Sequence, residues 1–330
     1  METKKIKWGI LGTGRIASVM ATALQSVKNS ELYAVASRDI SKAQRFATEF
    51  NIPVSYGNYE TLVQDPKIDV VYIATPHNMH MANTLLALNH NKHVLCEKPL
   101  GVNEKEVSIL MDKAEEKNLF LMEALWSRFL PHIRKTKELV ESGEIGDVKL
   151  LTAYFCFISN NGPQHRHFNK DLCGGSILDI GIYNIFLSQL LLGAPKRISA
   201  MAGLSHQGVD TSCSYSFGYE NDTLAVMHSS FVANSPVVAG IYGTRGKILL
   251  EDRWFCPGKV TLITADGIEK IFEFEVENNG YQYEAAEVAC CILNGKTQSE
   301  NWSLNDSLKL VRVMDSVRKE CGIVYPEHDL

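Results

Sequence analysis

The chain has 330 residues, 45% of them hydrophobic and 22% charged, so it is long enough for two folded domains with a substantial core. Its formal net charge of −5 argues against general binding to nucleic acid or to anionic membranes. The N-terminal sequence METKKIKW lacks a signal-peptide core, and we expect no apolar run of the ~18 residues that cross a bilayer, which argues against a membrane partner.

Residues 6–12 have the pattern of a buried strand that opens into the glycine turn GTGRIA and an apolar-periodic helix over 16–27. The turn fits GxGxxG/A: the first glycine allows a tight turn, the second lets a pyrophosphate approach the backbone, and the small third residue lets helix pack on strand. A phosphate is expected on the helix N-terminus. The predicted contacts are Gly12, Thr13, Gly14, Arg15 and Ile16.

The second predicted strand, 32–36, ends in Ser37-Arg38-Asp39. An NAD site places an acid about 20 residues past the glycines, where it binds the ribose 2′-hydroxyl. Counting from Ala17 reaches Ser37, whose hydroxyl, with the Arg38 guanidinium, suits the 2′-phosphate of NADP. The alternative is a register two residues longer, in which Asp39 binds NAD. We favour NADP.

Strands and helices continue to alternate, which predicts a parallel, doubly wound sheet. The predicted elements are helix 41–50, strand 70–74, helix 79–89, strand 94–96, helix 103–117 and strand 120–122. Asn103 is the expected N-cap of its helix, with Glu106 completing a capping-box-like pattern. Ligands of such sheets bind at the carboxyl ends of the strands, an edge that here collects Gly12, Ser37, 75–77 and Glu97-Lys98.

After Pro131 the pattern changes to one that suits an antiparallel sheet with packed helices. The predicted elements are helix 132–142, strand 148–158, helix 176–192, several strands within 197–275, and helices 283–293 and 303–320. We therefore predict an α/β protein with two domains. Residues 1–123 form a Rossmann domain, and residues 124–330 form an α+β domain for substrate binding and oligomerisation.

Asp179 and Tyr183 are spaced i, i+4 in the apolar helix 176–192 and so share one face. Polar groups there need partners or a solvent-filled cleft. The other interpretation is an acid near the N-terminal helix dipole and a core tyrosine.

Five motifs in this order, GxGxxA, ATPHNMH, CEKPLG, MEALWSRFLP and GGSILDIGIYN, make the chain similar to the Gfo/Idh/MocA oxidoreductases, especially the dihydrodiol and xylose dehydrogenase branch. The resemblance covers nearly the whole chain. It implies a catalytic Lys98, a cis bond to Pro99, and a second domain whose open sheet forms homodimer or homotetramer contacts. Many members have histidine where Tyr183 stands, which puts an inositol-type proton relay in doubt.

When a hydride leaves a carbinol carbon, the hydroxyl proton must also be accepted, and a phenol beside an ammonium group can share it. We therefore expect Lys98 and Tyr183 to handle that proton and Asp179 to orient the pair or bind a substrate hydroxyl. The expected activity is NAD(P)-dependent oxidation of a secondary alcohol or lactol in a sugar or cyclic vicinal diol. The remaining expected cofactor contacts are Thr75, Pro76, His80, Glu97 and Lys98.

Trp126 and Arg128 are further candidates for substrate binding, as an aromatic wall and a hydroxyl or anion contact; hinge packing and a surface charge are the alternatives. Trp254 could line the cleft or pack at an oligomer interface. The loop 159–173 cannot be placed from sequence. Its HxH, like the HxxH at 77–80, lacks nearby acids or cysteines, so we expect no metal. Eight scattered cysteines suggest a reduced, cytoplasmic protein.

Two other kinds of protein fit the fold. A nucleotide-binding sensor would have no reason to keep Lys98, Asp179 and Tyr183 together. A structural oligomer would bind no cofactor.

Overall fold

The computed structural model describes residues 5–162 and 164–330, which form two compact units. The first unit contains the chain up to residue 126 together with 277–308, and the second contains 127–276 together with 309–330. The division at 126/127 lies three residues beyond the predicted boundary. The grouping of 277–308 with the N-terminal unit has no local signal in the sequence, since it depends on packing between distant segments.

The first unit is built on a six-stranded parallel sheet with strand order β3-β2-β1-β4-β5-β6. Its strands are β1 (Ile6–Leu11), β2 (Ser30–Ala36), β3 (Val54–Tyr56), β4 (Val70–Ile73), β5 (His93–Glu97) and β6 (Leu121–Ala124). Its first five helices are α1 (Arg15–Leu24), α2 (Ile40–Phe50), α3 (Tyr59–Gln64), α4 (His80–Asn89) and α5 (Glu104–Lys117). The strand order reverses beside β1, which is where ligands bind in sheets of this kind.

The local sequence explains most of these elements. β4 is buried along its whole length, as expected of a central parallel strand with helices on both faces. The N-cap of α5 is Asn103, whose side chain accepts a hydrogen bond from the Glu106 backbone N–H at 3.0 Å, as predicted. β3 and α3 were not predicted, because three and six residues are too few to show a clear period.

The second unit contains an eight-stranded sheet of order β14-β13-β12-β11-β7-β10-β9-β8. Its strands are β7 (Val148–Cys156), β8 (Arg197–Leu204), β9 (Asp210–Gly218), β10 (Leu224–Ser230), β11 (Ala239–Gly243), β12 (Gly246–Leu250), β13 (Val260–Thr264) and β14 (Glu269–Phe272). Every neighbouring pair is antiparallel except β7 and β10. Helices α6 (Pro131–Glu141) and α7 (Ile182–Leu192) belong to the same unit. The predicted fold class is confirmed.

The predicted helix 176–192 is irregular where it begins. Residues Ile177–Gly181 form a π-helical turn, and regular α-helix starts only at Ile182. The prediction of one α-helix was therefore wrong in its first turn, which holds Asp179. Short π-helical turns are rare and occur frequently at functional sites.

The helical stretch Lys170–Leu192 is long and apolar enough to cross a membrane, although 78% of its most apolar window is buried inside the chain. The expectation that no apolar segment reaches this length missed this helix, because polar residues such as Asp179 stand among its apolar ones. Burial of this extent is typical of a core helix, so the stretch is weak evidence for a membrane span.

Three helices complete the chain. α8 (Gln282–Leu293) packs against α1 within the first unit. α9 (Leu304–Glu320) contains the division between the units at 308/309, and α10 (Pro326–Asp329) ends the chain.

Candidate active site

The glycine turn after β1 has the backbone shape that a pyrophosphate requires. Gly12 has φ +105°, and a Cβ there would lie 2.5 Å from the Ala74 carbonyl oxygen, so only glycine fits. Gly14 is the N-cap of α1, and a Cβ at Gly14 would meet no described atom within 4 Å. Thr13, Arg15 and Ile16 are at least partly exposed beside it. The turn therefore leaves open space at a helix N-terminus, which fits a dinucleotide phosphate.

At the end of β2, the three candidates for ribose recognition have different surroundings. Ser37 is buried and Arg38 is exposed. The Asp39 carboxylate caps α2 by accepting a hydrogen bond from the Ser41 N–H at 2.9 Å. The positive charge of Arg38 reaches Tyr59, where it opposes the burial that raises the pKa of the phenol.

The segment after β5, which carries Lys98, is held by buried side chains. The Leu100 N–H donates to Glu123 Oε1 at 2.9 Å, and the Val102 N–H donates to Glu106 Oε2 at 2.8 Å. The Lys98–Pro99 peptide bond is cis, as the resemblance implied. Because its backbone is fixed on both sides, the segment presents Lys98 from a rigid support at the carboxyl edge of the sheet.

His80 joins this segment to the loop after β4. The ring is fully buried, with Nδ1 2.7 Å from the Pro99 carbonyl oxygen and Nε2 2.8 Å from that of Thr75. Burial lowers the pKa of His80, and the two carbonyl partners oppose this shift because they accept from the protonated ring. His80 thus lies beside Thr75 and Pro76, on the edge of the sheet that is predicted to bind the cofactor.

Three buried acids belong to this part of the first unit: Glu97 was predicted only as a cofactor contact, and Glu123 and Glu284 were not predicted at all. Besides its bond to Leu100, Glu123 accepts from Trp302 Nε1 at 3.2 Å, and burial raises its pKa. Glu97 accepts a hydrogen bond from the Tyr72 hydroxyl. Glu284 on α8 is fully buried, and its carboxyl oxygens have no hydrogen-bond partner among the described residues. Burial, and then the charge of Glu97, raise the pKa of Glu284 well above its usual range.

A different group of side chains surrounds Asp179 in the second unit. Arg166 donates to both carboxylate oxygens, at 3.1 and 3.2 Å, and His167 Nε2 lies 3.6 Å from Oδ2. His167 Nδ1 is 2.9 Å from Ser159 Oγ. The loop 159–173, of which Pro163 lies outside the described residues, therefore supplies the partners of Asp179.

Tyr183, one turn later, lies in an aromatic environment. Its side chain is 5% exposed, and its ring centroid is 5.2 Å from that of Phe255 and 5.8 Å from that of Phe155. Phe155 and Phe255 stack on each other at 4.0 Å. An apolar wall of this kind shields a phenol from bulk water, which strengthens its interaction with a neighbouring charge.

Two family models match the chain along most of its length. Residues 6–125 match the model described as an oxidoreductase family with an NAD-binding Rossmann fold, and residues 133–249 match the GFO/IDH/MocA C-terminal domain. The chain belongs to the Gfo/Idh/MocA oxidoreductase family. It is an NAD(P)-dependent dehydrogenase that acts on CH–OH groups, as the sequence predicted.

Similar proteins of this family span the whole chain. The trans-1,2-dihydrobenzene-1,2-diol dehydrogenase of Mus musculus is 36% identical over 334 residues, which cover 98% of each chain, and the Homo sapiens protein of that name is 34% identical with the same coverage. The crystal structure of a 3-ketoreductase from Actinomadura kijaniata, in complex with NADP and TDP-benzene, has a TM-score of 0.87 at 25% identity and covers 96% of this chain and 98% of its own.

The remaining predicted site residues of this family member have the following surroundings. Trp126 is 4% exposed and stacks on Tyr281 at 4.2 Å within the first unit. In the second unit, Arg128 is buried. Trp254 is 2% exposed, and its indole N–H donates to the Tyr154 carbonyl oxygen at 3.3 Å. The Trp254 carbonyl oxygen lies 2.8 Å from His132 Nε2. Trp254 is therefore a core residue of its unit, and the oligomer-interface interpretation was wrong because so little of it is exposed.

Over residues 5–162 and 164–330, no three His, Cys, Asp or Glu side chains come together as a group that could hold a metal ion. His165 and His167, which the sequence offered as an HxH pair, lie beside Asp179 and Arg166 instead. The HRH tripeptide at 165–167 therefore marked part of the candidate site, but its Arg166 and His167 contact the Asp179 carboxylate and form no metal site among the described residues. Glu123, which holds the Lys98 segment, gave no comparable signal, since it stands alone in the apolar stretch 119–126.

Proposed function

We propose that this protein is an NADP-dependent dehydrogenase that oxidises a secondary alcohol or lactol of a sugar or cyclic vicinal diol. The observation that carries the proposal is the rigidly held Lys98 segment on the edge of the sheet that also carries the glycine turn. The names of its relatives support the substrate class: diol dehydrogenases at 36% identity and a 3-ketoreductase at 25%.

In the proposed reaction a bound nicotinamide accepts a hydride from the carbinol carbon. The hydroxyl proton is taken by the Tyr183 phenol and the Lys98 amine acting together, because an adjacent cation stabilises the phenolate form. Asp179, oriented by Arg166 and His167, accepts a hydrogen bond from a substrate hydroxyl. The cofactor contacts proposed for this chain are Gly12, Thr13, Gly14, Arg15, Ile16, Ser37, Arg38, Thr75, Pro76, His80, Glu97 and Lys98. Trp126 and Arg128 are proposed substrate contacts.

The decisive experiment measures NADP reduction against a panel of aldoses and cyclic trans-diols with Lys98→Met, Tyr183→Phe and the double variant. Each single change is expected to lower turnover by about 10²–10⁴-fold while leaving the NADP dissociation constant nearly unchanged, the usual scale for a positioned acid–base group. If both residues act on one proton, the double variant is scarcely worse than the poorer single one.

Lys105→Met and Tyr242→Phe are matched controls, since they make the same changes at positions outside the proposed site. Fully multiplicative losses in the double variant would show independent roles for Lys98 and Tyr183. Turnover near that of the controls in either single variant would remove that residue from the mechanism.

The preference for NADP rests on Ser37 and Arg38. Because the Asp39 carboxylate is engaged as the α2 cap, it is less available to a ribose hydroxyl than the sequence alone suggested. NADP should therefore bind more tightly than NAD, and Arg38→Ala should narrow the difference by roughly 1.5–3 kcal/mol, the range for a charge-assisted hydrogen bond. Arg134→Ala removes the same charge from the second unit and should leave the preference unchanged. Equal or tighter binding of NAD to the wild type would contradict the proposal.

We further propose a homodimer or homotetramer formed through the eight-stranded sheet. Met201, Leu224 and Val226, which are 79%, 46% and 39% exposed, lie on β8 and β10. The strand register places all three on one face. Apolar side chains grouped in this way favour association. Sedimentation equilibrium should show that the wild type is an oligomer and that Met201→Glu dissociates more readily. A monomeric wild type would refute the proposed oligomer.

The proposed location is the cytoplasm. Eight free thiols, several of them buried, are typical of a reducing compartment. Fractionation of the source cells would test this.

A further inference from the structure

We propose that the turn preceding Asp179 and Tyr183 is positioned by two residues, Tyr325 of the C-terminal segment and Asp210 at the start of β9. We call Arg318, Tyr325 and Asp329 the C-terminal clasp. The inference rests on the catalytic role proposed above for Tyr183, and it assigns a function to buried groups that the reaction itself does not use.

The turn consists of Gly174 and Gly175, which Ser176 separates from the π-helical residues. Gly175 has φ +120°, and a Cβ there would lie 2.3 Å from Asp210 Oδ1 and 3.1 Å from the Tyr325 hydroxyl oxygen. The Gly175 N–H donates to the His167 carbonyl at 2.9 Å. The same turn is therefore tied to the loop whose side chains contact Asp179.

Tyr325 holds the turn from one side. Its ring is 1% exposed, and its hydroxyl donates to the Gly174 carbonyl oxygen at 2.5 Å. Burial raises the pKa of Tyr325 well above its usual range, so the phenol remains a donor. A buried hydroxyl with a single defined acceptor fixes that carbonyl in place.

The rest of the clasp fixes Tyr325. Arg318 forms a two-pronged ion pair with Asp329, at 2.8 and 3.1 Å, and its guanidinium lies 5.2 Å from the centre of the Tyr325 ring. Asp329 also accepts from the Tyr325 N–H at 2.8 Å. Arg318 is 4% exposed, so little water competes with these contacts.

Asp210 holds the start of the helix from the other side. Its Oδ2 accepts hydrogen bonds from Ser176 Oγ at 2.7 Å and from the Ile177 N–H at 2.8 Å. Asp210, at the start of β9, thus caps the N-terminus of the helix in place of a local side chain. The carboxylate is fully buried, and Oδ1 has no hydrogen-bond partner among the described residues. Tyr325 therefore holds Gly174 and Asp210 holds Ser176 and Ile177, all within the short stretch of chain that leads to Asp179.

Placement of this kind matters for rate rather than for binding of the cofactor. A displacement of about 1 Å in a reacting group can reduce the rate on the order of 100-fold. Loss of one of two grips should shift the turn less than that, so we expect an intermediate effect on turnover.

Tyr325→Phe tests the proposal because it removes only the hydroxyl. Turnover should fall about tenfold, while the NADP dissociation constant stays within about twofold. Hydrogen exchange of the amides in 174–182 should become faster than in the wild type. Tyr242→Phe removes a phenol hydroxyl elsewhere in the same unit and should change none of the three. Ile248→Val, a mild core change in the sheet, controls for general loss of stability.

Wild-type turnover together with wild-type exchange in Tyr325→Phe would overturn the proposal, as would equal acceleration of exchange in Ile248→Val. If Tyr325→Phe does not fold, Asp329→Asn decides in the same assays, because it loosens Tyr325 without touching the turn. Tyr183→Phe is measured alongside. Should it keep full turnover, the proposed mechanism fails, while the exchange experiment still shows whether the clasp holds the turn.

Discussion

Replacing Asp210 by asparagine should make the protein more stable at neutral pH than the wild type. The carboxylate is fully buried, and burial raises its pKa from the ordinary value of 3.8 to about 6, although the Ser176 hydroxyl and the Ile177 N–H act against this shift. Asparagine keeps an oxygen that can accept both hydrogen bonds and removes the buried charge.

The sign follows from proton binding. A carboxyl with a raised pKa binds its proton more tightly in the folded than in the unfolded protein, so its contribution to stability declines as pH rises from the unfolded pKa through the folded one. A pKa change from 3.8 to about 6 corresponds to about 3 kcal/mol in total. About 2 kcal/mol of it should fall between about pH 4.5 and about pH 7.5.

Urea unfolding of both proteins at several pH values in that range measures the effect as a shift in the denaturation midpoint. The advantage of Asp210→Asn over the wild type should grow with pH and level off above about pH 7. Other buried acids titrate equally in both proteins and cancel in the difference. Asp252→Asn, an exposed site in the same unit, controls for the change in net charge.

The reasoning would be refuted by the opposite trend. If Asp210→Asn becomes less stable relative to the wild type as pH rises, the two hydrogen bonds stabilise the carboxylate by more than burial costs. A difference that does not vary with pH would mean that the group titrates alike in the folded and unfolded chains.

Three further substitutions test the first unit. Gly14→Ala should keep the melting temperature and weaken NADP binding roughly tenfold or more, because the added Cβ meets only the space proposed for the phosphate, whereas Gly12→Ala should lose stability as well; normal binding by Gly14→Ala would contradict this. His80→Ala leaves two buried carbonyl oxygens without their partner and should lower the free energy of unfolding by roughly 2–5 kcal/mol in urea, with wild-type stability as the contrary result. Glu284→Gln should be more stable than the wild type at alkaline pH, with an advantage that shrinks as pH falls, since the raised pKa of this acid makes its ionisation costly; a variant least stable at alkaline pH would reverse that assignment.

The sequence by itself determined the features that depend on local pattern. Strand, glycine turn and helix at the N-terminus, the Asn103 cap of α5 and the parallel alternation follow from short-range periodicity and from residues with unusual backbone demands. The order of five motifs was enough to show the resemblance to the family from the sequence alone. Lys98 could be placed on the binding edge because the carboxyl ends of parallel strands always meet there.

Only the tertiary structure decided which side chains support those residues. Glu123 and Trp302 are 179 positions apart and meet under the Lys98 segment, and Tyr325 reaches Gly174 across 151 positions. No local pattern encodes such pairs, because a buried polar group is stable wherever the fold supplies a partner, at any distance along the chain. The π-helical turn at Ile177–Gly181 likewise appeared only in the structure. A helix with one wider turn has nearly the same apolar period as a regular one.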